Sequence, residues 1–466
     1  MKKTFLLICL AAGLLSCAKE LTPREETPAG VPMNFEINVA GTKAEKTGWE
    51  DGDEILVFFK GIEDNFLMFK YNEESRKWVA GMSNDRFTSS DFEDLEEYVL
   101  TAVHLPGITS LNIEEDHLSF FGIDEEPIFN YYLAQTNVPY RVDGTTVKAS
   151  FTLEKPEDFV QFHVAGIEDA VGKYTFASPQ VRPVSLSGIY FDGSILEEER
   201  QAGARLNGFA DADGAVFAGR LVNPDATVYA FSLSYKDPTP ANDKIYTLER
   251  NSKLTAGKRY NFPVPGEGKW TTTLASDLYV EMGPENKWAK CNLDAAAPHL
   301  SGAYYAWGEL QPKSRYADGN YLFDPAGSNP KYYDGEATLE KIDDAAYAAL
   351  GGRFRMPTNW EFMRLLDPSN CSWTWETDYN GTGVSGWLVP SIQRGYSDNK
   401  IFFPAAGYQK DNTRIDYNSF GGYWTSTVLD SGKADCLTFT KGTKTIDGGI
   451  NRAYGLVIRP IYDPFL

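Results

Sequence analysis

Aromatic rings set among short amides and carboxylates are the side chains of this sequence best suited to chemistry, and that chemistry is recognition. Between residues 408 and 418 the chain offers Tyr408, Asp411, Asn412, Arg414, Asp416, Tyr417 and Asn418. Ring faces stack on sugar rings, and short polar groups exchange hydrogen bonds with hydroxyls. Trp373 and Trp375, within residues 372–379, form a second candidate of the same kind. Both segments also read as ordinary polar loops. The chain contains no HExxH, no phosphate loop and no nucleophile elbow. Its four histidines are scattered, none at metal-ligand spacing. No catalytic residue, metal or cofactor is expected, although an active site built from distant residues stays open.

The elements that must carry these side chains are mostly strands. A chain of 466 residues suggests about three domains, and 14% aromatic residues favour pleated surfaces. The net charge of −21 repels phosphate backbones and anionic lipid, so no nucleic-acid partner is expected. Phe35, Ile37 and Val39 alternate with polar or small residues, and residues 55–59 form a continuous apolar run. Val147, Ala149, Phe151 and Leu153 share one face. So do Val160, Phe162 and Val164, and so do Tyr229, Phe231 and Leu233. No helix of convincing length precedes residue 266. This predicts a mainly β protein, with antiparallel sandwiches over 34–148 and 149–266.

From residue 270 to 466 the texture is α+β. Asp343 and Asp344 suit a helix start, and Gly351-Gly352 a helix stop. Thr358 to Glu361 reads as a capping box, after which Phe362, Leu365 and Leu366 share a helix face. Strands are expected at 401–403, 423–427 and 437–439. A last one sets Tyr454, Leu456 and Ile458 against Gly455, Val457 and Arg459.

At the start, Lys2 and Lys3 precede an apolar stretch over residues 5–15, the pattern of a signal peptide spanning 1–16. Leu14-Leu15-Ser16-Cys17 resembles the lipobox of bacterial lipoproteins. That resemblance implies acylation of Cys17 and a lipidated tether over 17–33, with membrane contact through lipid only. Of the remaining cysteines, Cys291, Cys371 and Cys436 cannot all pair within one chain. One bridge or three buried thiols both fit.

Thr42-Lys43-Ala44 followed by Trp49-Glu50-Asp51-Gly52-Asp53-Glu54-Ile55 resembles the opening of the fimbrillin-like (type V pilin) family of Bacteroidetes. Residues 149–153 and 254–262 resemble its later strands. The resemblance implies surface lipoproteins with two transthyretin-like sandwiches, joined to other pilin subunits by donor-strand exchange. There, a trypsin-like protease opens the acceptor groove by removing the first strand. The matching loop here offers Lys43 where arginine is usual. Arg24 is the alternative, but a cut there leaves the strand at residues 35–39 in place.

The last part resembles the Fibrobacter succinogenes major paralogous domain, of C-type-lectin-like fold. The resemblance rests on Trp288-Ala289-Lys290-Cys291-Asn292, Tyr305-Ala306-Trp307-Gly308-Glu309, residues 352–358, residues 403–408 and Gly422-Tyr423-Trp424-Thr425-Ser426-Thr427. Trp288, Trp307, Trp360 and Trp424 are expected as core fillers. The calcium-sugar tripeptides of that fold are absent: Gln311-Pro312-Lys313 carries a cation where a carboxylate or amide belongs, and Trp424-Thr425-Ser426 lacks amide and acid. The fold also hosts an enzyme that uses a cysteine pair, and Cys436 has no cysteine nearby.

The expected role is therefore a non-enzymatic pilus tip or adhesin subunit at the outer membrane surface or in the fimbrium. Its head would bind a host or microbial glycan or protein. The chain's last residues follow directly on the last lectin-like strand, with no spare strand to donate. The alternatives are a glycan-binding surface lipoprotein of a nutrient uptake system, which never polymerises, and a pilus anchor subunit.

Overall fold

The computed structural model describes residues 7–9, 31–42, 49–62, 66–80, 87–104, 108–123, 133–154, 159–184, 186–197, 200–227, 229–326, 331–332, 338–430 and 432–466. The chain is mainly β, and its two α-helices among these residues both lie in the C-terminal part. Two compact units form. One takes residues 1–160, 184–199 and 256–258; the other takes 161–183, 200–255 and 259–466.

In the first unit a seven-stranded sheet runs Asn34–Thr42, Thr146–Leu153, Leu133–Asp143, Val99–His104, Glu54–Phe59, Leu67–Asn72, Lys77–Ala80. It folds over on itself along its longest strand. The first half of Leu133–Asp143 pairs with Val99–His104 and the second half with Thr146–Leu153. Between them Asn137 takes a left-handed φ of 54°, and the ladder shifts register opposite Leu100 and Ala102. One extra residue on one strand bends it. The fold-over brings Phe35 of the first strand within 5.8 Å of Phe59, although three strands separate theirs in the sheet. Phe59, Phe87, Phe92 and Tyr140 complete this aromatic core. A second sheet of the unit runs Ile108–Ile113, His117–Ile123, Leu186–Tyr190, Ile195–Glu197, and in the full-length chain Leu7–Cys9, inside the expected signal peptide, pairs with its Ile108–Ile113 edge.

The second unit begins with a two-sheet sandwich. Phe159–Ala165 lies between Gly214–Leu221 and Arg259–Phe262, while Tyr229–Tyr235 lies between Tyr174–Ala177 and Lys244–Arg250. Phe162 of one sheet stacks on Phe176 of the other at 4.9 Å, and Phe231 meets Phe262 at 5.1 Å. The second sheet ends on Thr271–Leu274, which pairs with Lys244–Arg250.

Beyond it, two cores form on either side of the strand Gly421–Val428. Tyr423 faces Trp288, Phe362 and Phe403; Trp424 faces Trp307, Tyr305 and Tyr332. The segment 456–458 runs between the same cores, with Leu456 and Ile458 in one and Val457 in the other. It is not the regular strand expected there. Isolated bridges from Leu456 to Tyr305 and from Val457 to Tyr423 hold it, and the final regular strand is Ile461–Tyr462. Arg459 does not reach solvent either. Its guanidinium is fully buried, donating to Asn292 Oδ1 at 2.8 Å and to the carbonyls of Ala289, Lys290 and Phe402.

Helices α1 (Ala345–Leu350) and α2 (Asn359–Leu366) form where their caps predict. In α2, Thr358 and Glu361 make the reciprocal capping box. Phe362 and Leu365 are buried, and Leu366 packs against the same core. Trp360 is 72% exposed, which corrects the expectation of a core filler. It sits two residues before Phe362, hence about 200° around the helix, and points away from the core. Trp288, Trp307 and Trp424 are fully buried.

Asp344 caps α1, accepting from Tyr347 N–H at 2.9 Å and Met356 N–H at 2.8 Å. Burial pushes its carboxyl up to about 6 from 3.8, against the pull of those N–H groups. The folded value exceeds the unfolded one, so the stability linked to this proton is present below about pH 4. It is lost as pH rises through about 6, to the extent of about 3 kcal/mol. Carboxyl-carbon NMR titration is expected to place Asp344 near pH 6. A midpoint below 4 would show that the capping bonds outweigh burial.

Candidate functional site

Three places in the chain could bind a partner. The first is the seam of the folded-over sheet. Asn34–Thr42 is its first strand and, among the described residues, has a single strand neighbour, Thr146–Leu153, to which it runs parallel. Phe35 lies beside Val147, Ile37 beside Ala149 and Val39 beside Phe151. These three side chains are half-buried, while Glu36 and Asn38 face water. The other end of the sheet is Lys77–Ala80. Between the two edges a groove of about 1120 Å³ opens, lined by Ile37, Val39, Trp49, Tyr71, Trp78 and Lys148 among others. Trp78 meets Trp49 at 4.9 Å and Tyr71 at 5.3 Å. An edge strand leaves one row of backbone donors and acceptors without a strand partner.

The second place is the hairpin Tyr408–Lys410 and Thr413–Ile415. Asp411 and Asn412 form its two-residue turn, with Asp411 at a φ of 50°. The Asp411 backbone exchanges bonds with Tyr316, which fixes the tip, and its carboxylate lies 3.6 Å from the exposed Arg315. The Arg414 guanidinium sits 3.7 Å over the ring of Tyr417. Tyr408 stacks on Tyr454 and is half-buried. Asn418 has a bridging position: its Oδ1 accepts from Ser385 N–H at 2.5 Å and its Nδ2 donates to Gly383 O at 3.1 Å. Asp411, Asn412, Asp416 and Tyr417 are left facing solvent. Trp373 and Trp375 flank a different core. Trp373 donates its indole N–H to Leu365 O at 2.7 Å and stacks on Phe403, and Trp375 meets Trp387 edge-on at 5.5 Å.

The third place carries no signal in the sequence. A cavity of about 650 Å³ lies within the second unit, lined by Ser232, Leu248, Glu249, Lys269, Asp294, Tyr305 and Gln311 among others. That size suits a small ligand. The Tyr305 hydroxyl donates to the Asp294 carboxylate there. Its walls come from segments far apart in the chain, so only the fold assembles it. Gln311 and Pro312, unfit for the calcium tripeptide, serve as wall.

Cys17, Arg24 and Lys43 lie outside the described residues. No disulfide links Cys291, Cys371 and Cys436, and the last two are buried. Burial raises the Cys371 thiol to about 11, which keeps it protonated.

No family model matches the chain, and no curated protein matches it. Among solved structures it is similar to a fimbrial protein from Bacteroides ovatus, at 12% identity and a TM-score of 0.25, covering 93% of this chain and 99% of that one. It is similar to a proposed cell adhesion protein from the same species, at 13% identity and 0.28, covering 53% and 97%. It is also similar to the fimbrial anchor protein Mfa2 from Porphyromonas gingivalis, at 12% and 0.20, covering 44% and 77%. These structures are adhesion and fimbrial proteins.

Proposed function

We propose that the chain reaches the surface as a lipoprotein of fimbrial type, non-enzymatic, and acts as an adhesin or pilus tip once it is cut from its lipid anchor. In this reading its first unit accepts an extended segment of another pilin subunit. Its C-terminal part is a lectin-like head that takes a glycan or protein through the hairpin at 408–418. The single observation that supports it most is the strand Asn34–Thr42: parallel, at an edge, with one strand neighbour among the described residues, beside an open groove. The strand ends one residue before Lys43. A cut after Lys43 would free the whole strand, and a cut after Arg24 would not. At the other end Ile461–Tyr462 is hydrogen-bonded on both sides, to Lys287–Ala289 and Phe354–Arg355, so it is not a strand to lend.

Peptide sequencing of the mature N-terminus from intact cells and from sheared pili tests this. The reading expects chains that begin at Ala44 in the pilus fraction, concentrated at pilus ends. Chains that keep Cys17 and residues 34–42 and never enter pili would overturn it, and would favour the anchor or the non-polymerising glycan binder.

A further inference from the structure

The sandwich of the second unit holds a cluster that local spacing conceals. His163 lies on Phe159–Ala165, between Phe162 and Val164, whose side chains fill the sandwich core. Its own side chain therefore points to the opposite face of the sheet. There it is only 5% exposed, and its Nε2 is buried without a hydrogen-bond partner. Two carboxylates stand over it. Asp213 Oδ1 is 2.9 Å from Nε2 and Asp211 Oδ2 is 3.8 Å away. Despite the short approach, Nε2 makes no hydrogen bond to Asp213 and is left without a partner.

We propose that His163, Asp211 and Asp213 form a site for one divalent cation of the zinc class. The three ligand atoms lie within 4.8 Å of one another. Tetrahedral zinc with bonds of about 2.0–2.2 Å sets its ligands about 3.4 Å apart, within reach of small carboxylate rotations. An imidazole with two carboxylates suits a borderline transition ion better than magnesium or calcium, which prefer oxygen alone. The backbone around the ligands is fixed. Gly166 N–H donates to Asp213 O at 2.8 Å. At Gly214 a Cβ would lie 2.2 Å from Val164 O, so only glycine lets the turn sit this close to the histidine strand. Arg259 on the edge strand also holds Asp211 Oδ2. It offsets part of the carboxylate charge and moderates affinity. With a cation bound, the turn at 211–213 is fastened to the histidine strand through metal bonds, and a fourth position stays open to water.

Isothermal titration of Zn²⁺ into the full chain, stripped with chelator beforehand, tests the site. One equivalent is expected to bind. Asp213→Asn and His163→Ala are each expected to weaken it at least about tenfold, and His117→Ala to leave it unchanged. Asp213 is an exposed turn residue, its side chain 76% accessible, so Asp213→Asn decides the matter even if His163→Ala fails to fold. Absence of binding heat, or equal affinity in Asp213→Asn, overturns the proposal and leaves a plain histidine–aspartate contact.

Discussion

Arg205→Met lowers the stability of the second unit by about 4 kcal/mol, read as an early shift of its unfolding transition in urea. Arg205 is 8% exposed and belongs to the sandwich. Its guanidinium donates to the carbonyls of Tyr347 at 2.9 Å and Ala349 at 3.0 Å in helix α1. It also donates to Thr175 O at 3.0 Å and Ser232 Oγ at 2.9 Å in the sandwich. Burial brings the guanidinium down to about 10, so it still carries its proton at neutral pH. Methionine fills the stem but leaves the carbonyls at the end of α1 without their charged donor. Gly351→Ala strikes the same joint from the other side. Gly351 holds a φ of 65°, and a Cβ there would lie 2.4 Å from both Arg205 Cζ and Ser234 Oγ. If Arg205→Met unfolds with the wild type, the joint is not where the stability resides.

The second large effect concerns the seam. A chain whose first residue is 44 is expected to lose about 6 kcal/mol in the first unit, from three half-buried apolar side chains at about 1 to 1.5 kcal/mol each and the fully buried Met33 at about 2. Phe35, Ile37 and Val39 then leave the groove, and the outer edge of Thr146–Leu153 is bared. A synthetic peptide of residues 33–42 is expected to restore the thermal midpoint when added in excess, because an extended segment re-pairs the edge and refills the groove. The same peptide with Ile37→Asp is expected to do nothing. An unchanged midpoint in the shortened chain would show that the strand adds no stability and has no groove to fill.

What could be read from the sequence follows from which faces meet water. Val147, Ala149, Phe151 and Leu153 are buried while Lys148 and Ser150 are exposed, and that contrast writes the alternation into the chain. Tyr229, Phe231 and Leu233 show it too. In Phe159–Ala165, His163 is as buried as its apolar neighbours, so its face cannot be told by polarity and its carboxylate partners are invisible. Thr271–Leu274 is polar and largely exposed at the edge of its sheet, which leaves no pattern to find. Residues 456–459 lie between two cores, and strict alternation has no wet face to mark. For the hairpin, residue types alone revealed the exposed Asp411, Asn412 and Tyr417. They did not reveal that Asn418 ties one loop to the next, because that role depends on Ser385 and Gly383.

The link between sandwich and helices in the second unit has a mechanical consequence. Arg205, Gln201 and Asp243 clamp it: Gln201 reaches Gly308 O at 2.8 Å, and Asp243 takes Arg353 at 2.6 Å and Tyr462 at 2.9 Å. A pull on the helical part is expected to be shared among these short contacts. Sandwich and helices are therefore expected to part only when several of these contacts break together.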